Sequence, residues 1–237
     1  MKSLKVAKIN LNDMIKPSLI FYCILIASLI LSTVLTNSNI HIMTKGLEIA
    51  TVIFLFVCGL NSFKENFYFA QSNNISRKSF ISGVIASIFP IAIVMAVIDV
   101  VINRVANIFT KMPSVYDMLY GNYVGINVLK TSTNWTQENS IIVIINSILV
   151  CFLLYCLAYV LGIVISMIYY RCNTIMKILV SVIGVVLLNL LSFVFDKPIF
   201  EVASVNIYLG SLSNIFVLII LSGMAFLLIK EAEVKGK

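Results

Sequence analysis

Six apolar runs, each near the length of a bilayer crossing, constrain this chain more than any other feature. They fall near residues 18–36, 44–60, 81–102, 141–170, 178–195 and 212–229. A helix of about 20 apolar residues spans the roughly 30 Å of hydrocarbon in a membrane. The second run is the shortest. The fourth is longer than a crossing needs, so it tilts, bends or projects beyond the membrane. Apolar residues make up 60% of the chain and charged residues 11%, where a soluble domain carries roughly a quarter charged residues. Between the runs, no stretch reaches the length at which a domain folds alone. The expectation is an all-α membrane protein, a single transmembrane domain over 1–237 with six transmembrane helices.

Basic residues orient the helices, because Lys and Arg accumulate in the short loops on the cytoplasmic side. Lys2, Lys5, Lys8 and Lys16 precede the first run. Lys64, Arg77 and Lys78 follow the second, Arg171 and Lys177 the fourth, and Lys230, Lys235 and Lys237 the last. The opposite side holds Lys45, Arg104, Lys111, Lys130 and Lys197. Both termini are therefore expected in the cytoplasm. The net charge of +7 follows from this bias and suits an anionic lipid surface. It does not indicate nucleic acid, which needs a basic patch on a folded domain. None of the five cysteines falls in an outside loop, and Cys151 and Cys156 have the wrong spacing for a CxxC pair, so packing is their expected role.

Residues 2–17 read as an amphipathic helix lying at the membrane interface. Leu4, Ala7, Leu11, Met14 and Ile15 share one face, Lys2, Lys5, Asn12 and Lys16 the other, and Val6 and Ile9 blur the pattern. Pro17 is expected to bend the chain before the first crossing. In the third run Pro90 predicts a kink. Ser79, Gly83 and Ser87 there make a ladder of small residues for close helix approach. Asp99 is a candidate functional acid, as any ionisable residue inside a membrane helix is. It sits near the outer end, with Arg104 about one turn beyond. Residues 103–139 form the longest outside loop, with a short helix expected over 114–120. The link 196–210 is a second outside segment that mixes apolar residues with Pro198 and Gly210.

The polar interruption at residues 61–80, NSFKENFYFAQSNNISRKSF, is unusual for a plain linker. Phe63, Phe67 and Ala70 fall at i, i+4 and i+7, one face of a helix. Asn73 and Asn74 tolerate the left-handed backbone that ends a helix, and Ser76 can cap the next one. The segment reads as a short cytoplasmic helix, a stop and a new start. From the residues alone, its aromatics either anchor at the inner interface or fill a groove on a partner.

Catalytic chemistry is thin. The single histidine, His41, cannot make a zinc site. There is no GxSxG serine and no GxxxxGK[ST] phosphate loop. Buried acids are limited to Asp99 and Glu48, both near the outer boundary, which suits amphiphilic cargo better than small ions.

With these features in hand, the segments KSLKVAKINLNDMIKPSLIFY and FKENFYFAQSNNISRKSFISG, together with the six-helix layout, resemble the ABC-2 type permease subunits of bacterial ABC transporters. The resemblance implies a multi-pass protein of the bacterial cell membrane and an exporter that moves an antimicrobial peptide, a lipid or another amphiphile outward. It implies a coupling helix in 61–80 that docks on a separate ATPase subunit, with Phe67, Phe69, Asn73, Asn74, Ser76, Arg77 and Lys78 as the contact surface. Two ATPase copies and a second permease chain, identical or paralogous, complete such a transporter. ATP and Mg bind the ATPase, and this chain carries no cofactor or catalytic residue. Two other classes compete. One is a substrate-binding membrane subunit of a vitamin-type importer. The other is an intramembrane enzyme, which would need Asp99, Glu48 and His41 to converge.

Overall fold

The computed structural model describes residues 2–37, 46–109, 112–120, 137–173, 176–178 and 206–230. Nearly all of the fifth predicted run, His41 and most of the link 196–210 lie outside the described residues. Every regular element among those described is a helix: α1 (Lys2–Asn37), α2 (Leu47–Ser62), α3 (Lys64–Ser72), α4 (Arg77–Phe109), α5 (Val115–Tyr120), α6 (Ile141–Arg171) and α7 (Ile207–Lys230). Five spans are long and apolar enough to cross a membrane, with α2 and α3 counted together. Their outward faces are apolar, as at Leu19, Ile20, Ile30, Ile53, Val94 and Phe216. The chain is an all-helical, multi-pass membrane protein.

Lipid tails are as apolar as leucine, so the helices need close backbone contact or polar bonds to associate. The tightest approach joins α2 to α6. A Cβ placed on Gly59 would lie 3.2 Å from the Cα of Gly162, and one placed on Gly162 would lie 2.9 Å from the backbone nitrogen of Leu60. Only glycine at both positions lets the two backbones touch. The small-residue ladder of α4 makes a second close approach: a Cβ on Gly83 would come within 2.8 Å of the Val6 Cβ.

Through that approach α1 packs beside α4, and the two run in the same direction. Val6 meets Gly83, Asn10 bonds Ser87, and Tyr22 donates to the carbonyl of Met95. Residues 2–17 are thus the first turns of one 36-residue helix that continues through Pro17, not a separate helix lying on the membrane surface. The predicted apolar face is rotated. Val6, Ala7, Asn10 and Met14 are buried, while Leu4 and Ile15 are exposed. The reason is a polar anchor, Asn10, which faces the bundle and turns the helix with it. At 33 residues, α4 is about 50 Å long and outreaches the hydrocarbon core. The lysine-bearing turns of α1 can therefore stand beside α4 beyond the lipid.

The α4 helix also extends further than its apolar run, to Phe109 rather than 102. Its last polar residues are held locally. Asn103 and Asn107 donate to the Met112 carbonyl at 3.2 and 2.7 Å, and Arg104 donates to the Glu138 carbonyl at 2.8 Å and to Asn139 at 2.9 Å. The predicted short helix of the outside loop is present as α5. All five cysteines are free.

At one end of the bundle, which carries α3, Tyr170 near the end of α6 and Lys230 at the end of α7 both reach the α3–α4 junction. Because α7 is 24 residues long and packs along α6, its start lies about 36 Å away, at the end that carries α5.

Replacing Gly59 by Ala should lower the stability of the purified protein by about 1–3 kcal/mol, the usual cost of overpacking. The same change at Gly223, where a Cβ meets nothing within 4 Å, should cost nothing. Thermal unfolding in detergent checks the pair; equal effects would contradict the close crossing.

Candidate functional site

The α3 segment is built from its own periodicity. Phe63, Phe67 and Ala70 share a face as predicted, and that face turns inward. All three are buried. Phe63 stacks on Phe67 with ring centroids 5.2 Å apart, and both meet Phe80 of α4 and Tyr170 of α6 edge to face. Phe67 is wholly enclosed and has no surface left for a partner's groove. Its place among the contact residues is therefore corrected: it fixes α3 to α4 and α6.

What α3 presents outward is different. Phe69 is about half exposed (53%). Beyond it the helix stops at Asn73, whose backbone N–H and side-chain amide both bond the Phe69 carbonyl, at 3.2 and 2.8 Å. Asn74 takes the left-handed conformation, φ 53, as asparagine tolerates. The Ile75 N–H then closes back onto the Ala70 carbonyl at 2.9 Å. Ser76 caps α4, accepting from the Ser79 N–H at 3.3 Å. Asn73, Asn74, Ser76 and Lys78 are exposed. Arg77 is already engaged. Its guanidinium donates to the Lys230 carbonyl at 2.9 Å, capping the negative end of α7, so it braces a third helix rather than reaching freely outward. The exposed candidates thus form one turn on a platform fastened to α4, α6 and α7.

The bundle interior holds a second cluster. Asn10 donates to the Ser87 hydroxyl at 2.6 Å and to the Tyr159 hydroxyl at 2.9 Å, linking α1, α4 and α6. Further toward the α5 end, Asp99 is fully buried and accepts a hydrogen bond from the Tyr155 hydroxyl. Arg104 does not pair with it. Glu48, in the first turn of α2, accepts from the Val115 N–H of α5 at 3.3 Å. Ser114 caps α5 together with Asp117, which also accepts from Gln137.

Sequence reasoning did not single out Asn10, Thr51, Tyr155 or Tyr159. A signal was there for the last pair: Tyr155 and Tyr159 sit four apart in an otherwise apolar run, with Tyr170 on the same helical face. Asn10 was hidden as one polar residue between two apolar neighbours.

Two apolar grooves open along the α1–α4 surface. One, of about 340 Å³, is lined by Leu11, Met14, Tyr22, Pro90 and Met95. The other, of about 710 Å³, lies toward the α5 end between residues such as Ile30, Val34, Val101 and Phe109. No group of three metal-ligating side chains occurs among the described residues. Compared with protein-family models, curated proteins and solved structures, the chain matches none.

Substituting Phe67 by Ala should cost about 3–5 kcal/mol of stability, as for any enclosed phenylalanine, whereas Phe69→Ala should leave the melting temperature unchanged. Asn10→Leu takes the amide donor from the Ser87 and Tyr159 hydroxyls, of which Ser87 still donates to the Val84 carbonyl, and should cost about 1–3 kcal/mol. Its effect should be non-additive with Tyr159→Phe in a double-mutant cycle; simple additivity would show that the two side chains act independently.

Proposed function

We propose that this chain is the membrane-spanning permease subunit of an ATP-driven ABC exporter of the ABC-2 type. The observation that carries the reading is the exposed turn of Phe69, Asn73, Asn74, Ser76 and Lys78 on a helix whose inner face is locked into the bundle. An aromatic and a cation beside polar turn residues suit a protein interface. A partner that pulled on this turn would pull on α4 through Phe80, on α6 through Tyr170 and on α7 through Arg77. A loop that merely joined two crossings would not need this bracing.

The partner is an ATPase present in two copies that binds ATP and Mg, since no phosphate-binding loop occurs in this chain. A second permease chain, identical or paralogous, faces this one. The α3 end is cytoplasmic, in keeping with its lysines and arginines, and the protein resides in the bacterial cell membrane with both termini inside. Six crossings fit this reading: α6 ends at the α3 end, α7 starts at the α5 end, and the apolar run near 178–195 separates them in the sequence. The two grooves are apolar and open toward lipid, which favours an amphiphilic cargo such as a peptide or lipid.

Deleting 66–76 would remove Phe67 and Ala70 and so damage the bundle; point changes on the outer face test docking cleanly. Phe69→Asp combined with Lys78→Glu should abolish co-purification with a P-loop ATPase encoded beside this chain, at an unchanged melting temperature. Retained capture by the double variant would refute docking through this turn. A stoichiometric small molecule retained through purification would favour the importer subunit instead.

A further inference from the structure

Three buried oxygens near the α5 end have no hydrogen-bond partner: Glu48 Oε1, Thr51 Oγ1 and Asp99 Oδ1. Their residues are at most 1% exposed. A single orphaned polar atom at such depth is costly, and here three occur together. Glu48 and Thr51 are one turn apart on the same face of α2. Asp99 approaches from α4, within electrostatic reach of Glu48 and beside the Thr51 hydroxyl. The Thr51 and Tyr22 hydroxyls lie beside Asp99, but too far or too poorly aligned to satisfy Asp99 Oδ1 or Thr51 Oγ1.

Among the described residues, the surroundings supply no positive charge. The groups that face the two carboxyls are Tyr155 and Cys151 of α6, Tyr22 of α1, Thr51 of α2 and Asp117 of α5. Each is neutral or acidic, and Arg104 is turned to Glu138 and Asn139. The remaining carboxyl oxygens are already used: Asp99 Oδ2 takes the Tyr155 hydroxyl and Glu48 Oε2 takes the Val115 N–H. These bonds leave one oxygen of each carboxyl, like the Thr51 hydroxyl, without a partner.

We propose that Glu48, Thr51 and Asp99 form a binding site for a sodium ion, enclosed between α2 and α4 and covered by α5. Oxygen-only ligands suit a hard cation. Two carboxyls that share one proton carry a single negative charge, which a monovalent ion balances and a divalent one does not. With one proton shared between the two carboxyls, the loaded site is neutral, which removes the cost of two buried like charges. Binding would join α2 to α4 at the end opposite the docking turn. The inference does not depend on the ATPase reading.

The test is thermal unfolding of the purified full chain in detergent, in sodium, potassium or choline chloride at equal ionic strength and fixed pH. A ligand bound only by the folded state raises the melting temperature saturably. Sodium should raise it by about 4 °C or more over choline, potassium much less, and Asp99→Asn and Glu48→Gln should abolish the difference. If either variant fails to fold, Thr51→Val, which removes only the hydroxyl, should shift half-saturation to about tenfold higher sodium. Equal melting temperatures in the three salts, or stabilisation by acid alone regardless of the salt, would overturn the site and leave the cluster to protons or water. An unchanged sodium response in Thr51→Val would overturn it as well.

Discussion

The crossing of α2 and α6 at Gly59 and Gly162 is the contact on which the rest of the bundle depends. Within lipid, apolar side chains gain little by touching one another instead of acyl chains. Two backbones that meet directly gain dispersion contacts that lipid cannot match. Once α6 is seated there, its tyrosine face is aimed: Tyr155 at Asp99, Tyr159 at Asn10 and Tyr170 at the phenylalanines of α3. One steric event thus places a polar bond at each of two depths and an aromatic contact at the end.

Asn10 shows how strongly one polar side chain directs a helix in this setting. Its amide has hydroxyl partners on α4 and α6, and an unsatisfied amide at that position would cost more than several exposed leucines or isoleucines in a lipid or interfacial environment. The helix therefore turns Asn10 inward and leaves Leu4 and Ile15 outside. That choice also holds α1 upright beside α4, as one continuous helix.

The same economy joins the two ends of the molecule. At the α3 end, Phe63 and Phe67 fasten the short helix to α4 and α6, and Arg77 fastens α4 to the C-terminus of α7. At the α5 end, Glu48 holds the Val115 N–H while Asp99 is held by Tyr155. The α4 helix carries Phe80 at one end and Asp99 toward the other. The exposed turn and the buried acids are thereby joined through one continuous helix.

How much of this was legible in the sequence depended on the kind of information each feature carries. Run lengths and the balance of apolar and charged residues determined that the chain crosses a membrane as helices, because no other backbone arrangement without a closed barrel satisfies its polar groups in lipid. Local patterns determined the helix of 64–72, the left-handed Asn74, the Ser76 cap and the short helix near 114–120, since each is settled within a few residues. Periodicity also identified the Phe63–Phe67–Ala70 face. It could not say whether that face meets a partner or its own bundle; only the approach of Phe80 and Tyr170, from chain positions far away, decided that Phe67 is internal. The rotation of α1 and the grouping of Glu48, Thr51 and Asp99 were likewise decided by tertiary structure, because partners on different helices leave no trace in the spacing of any one of them.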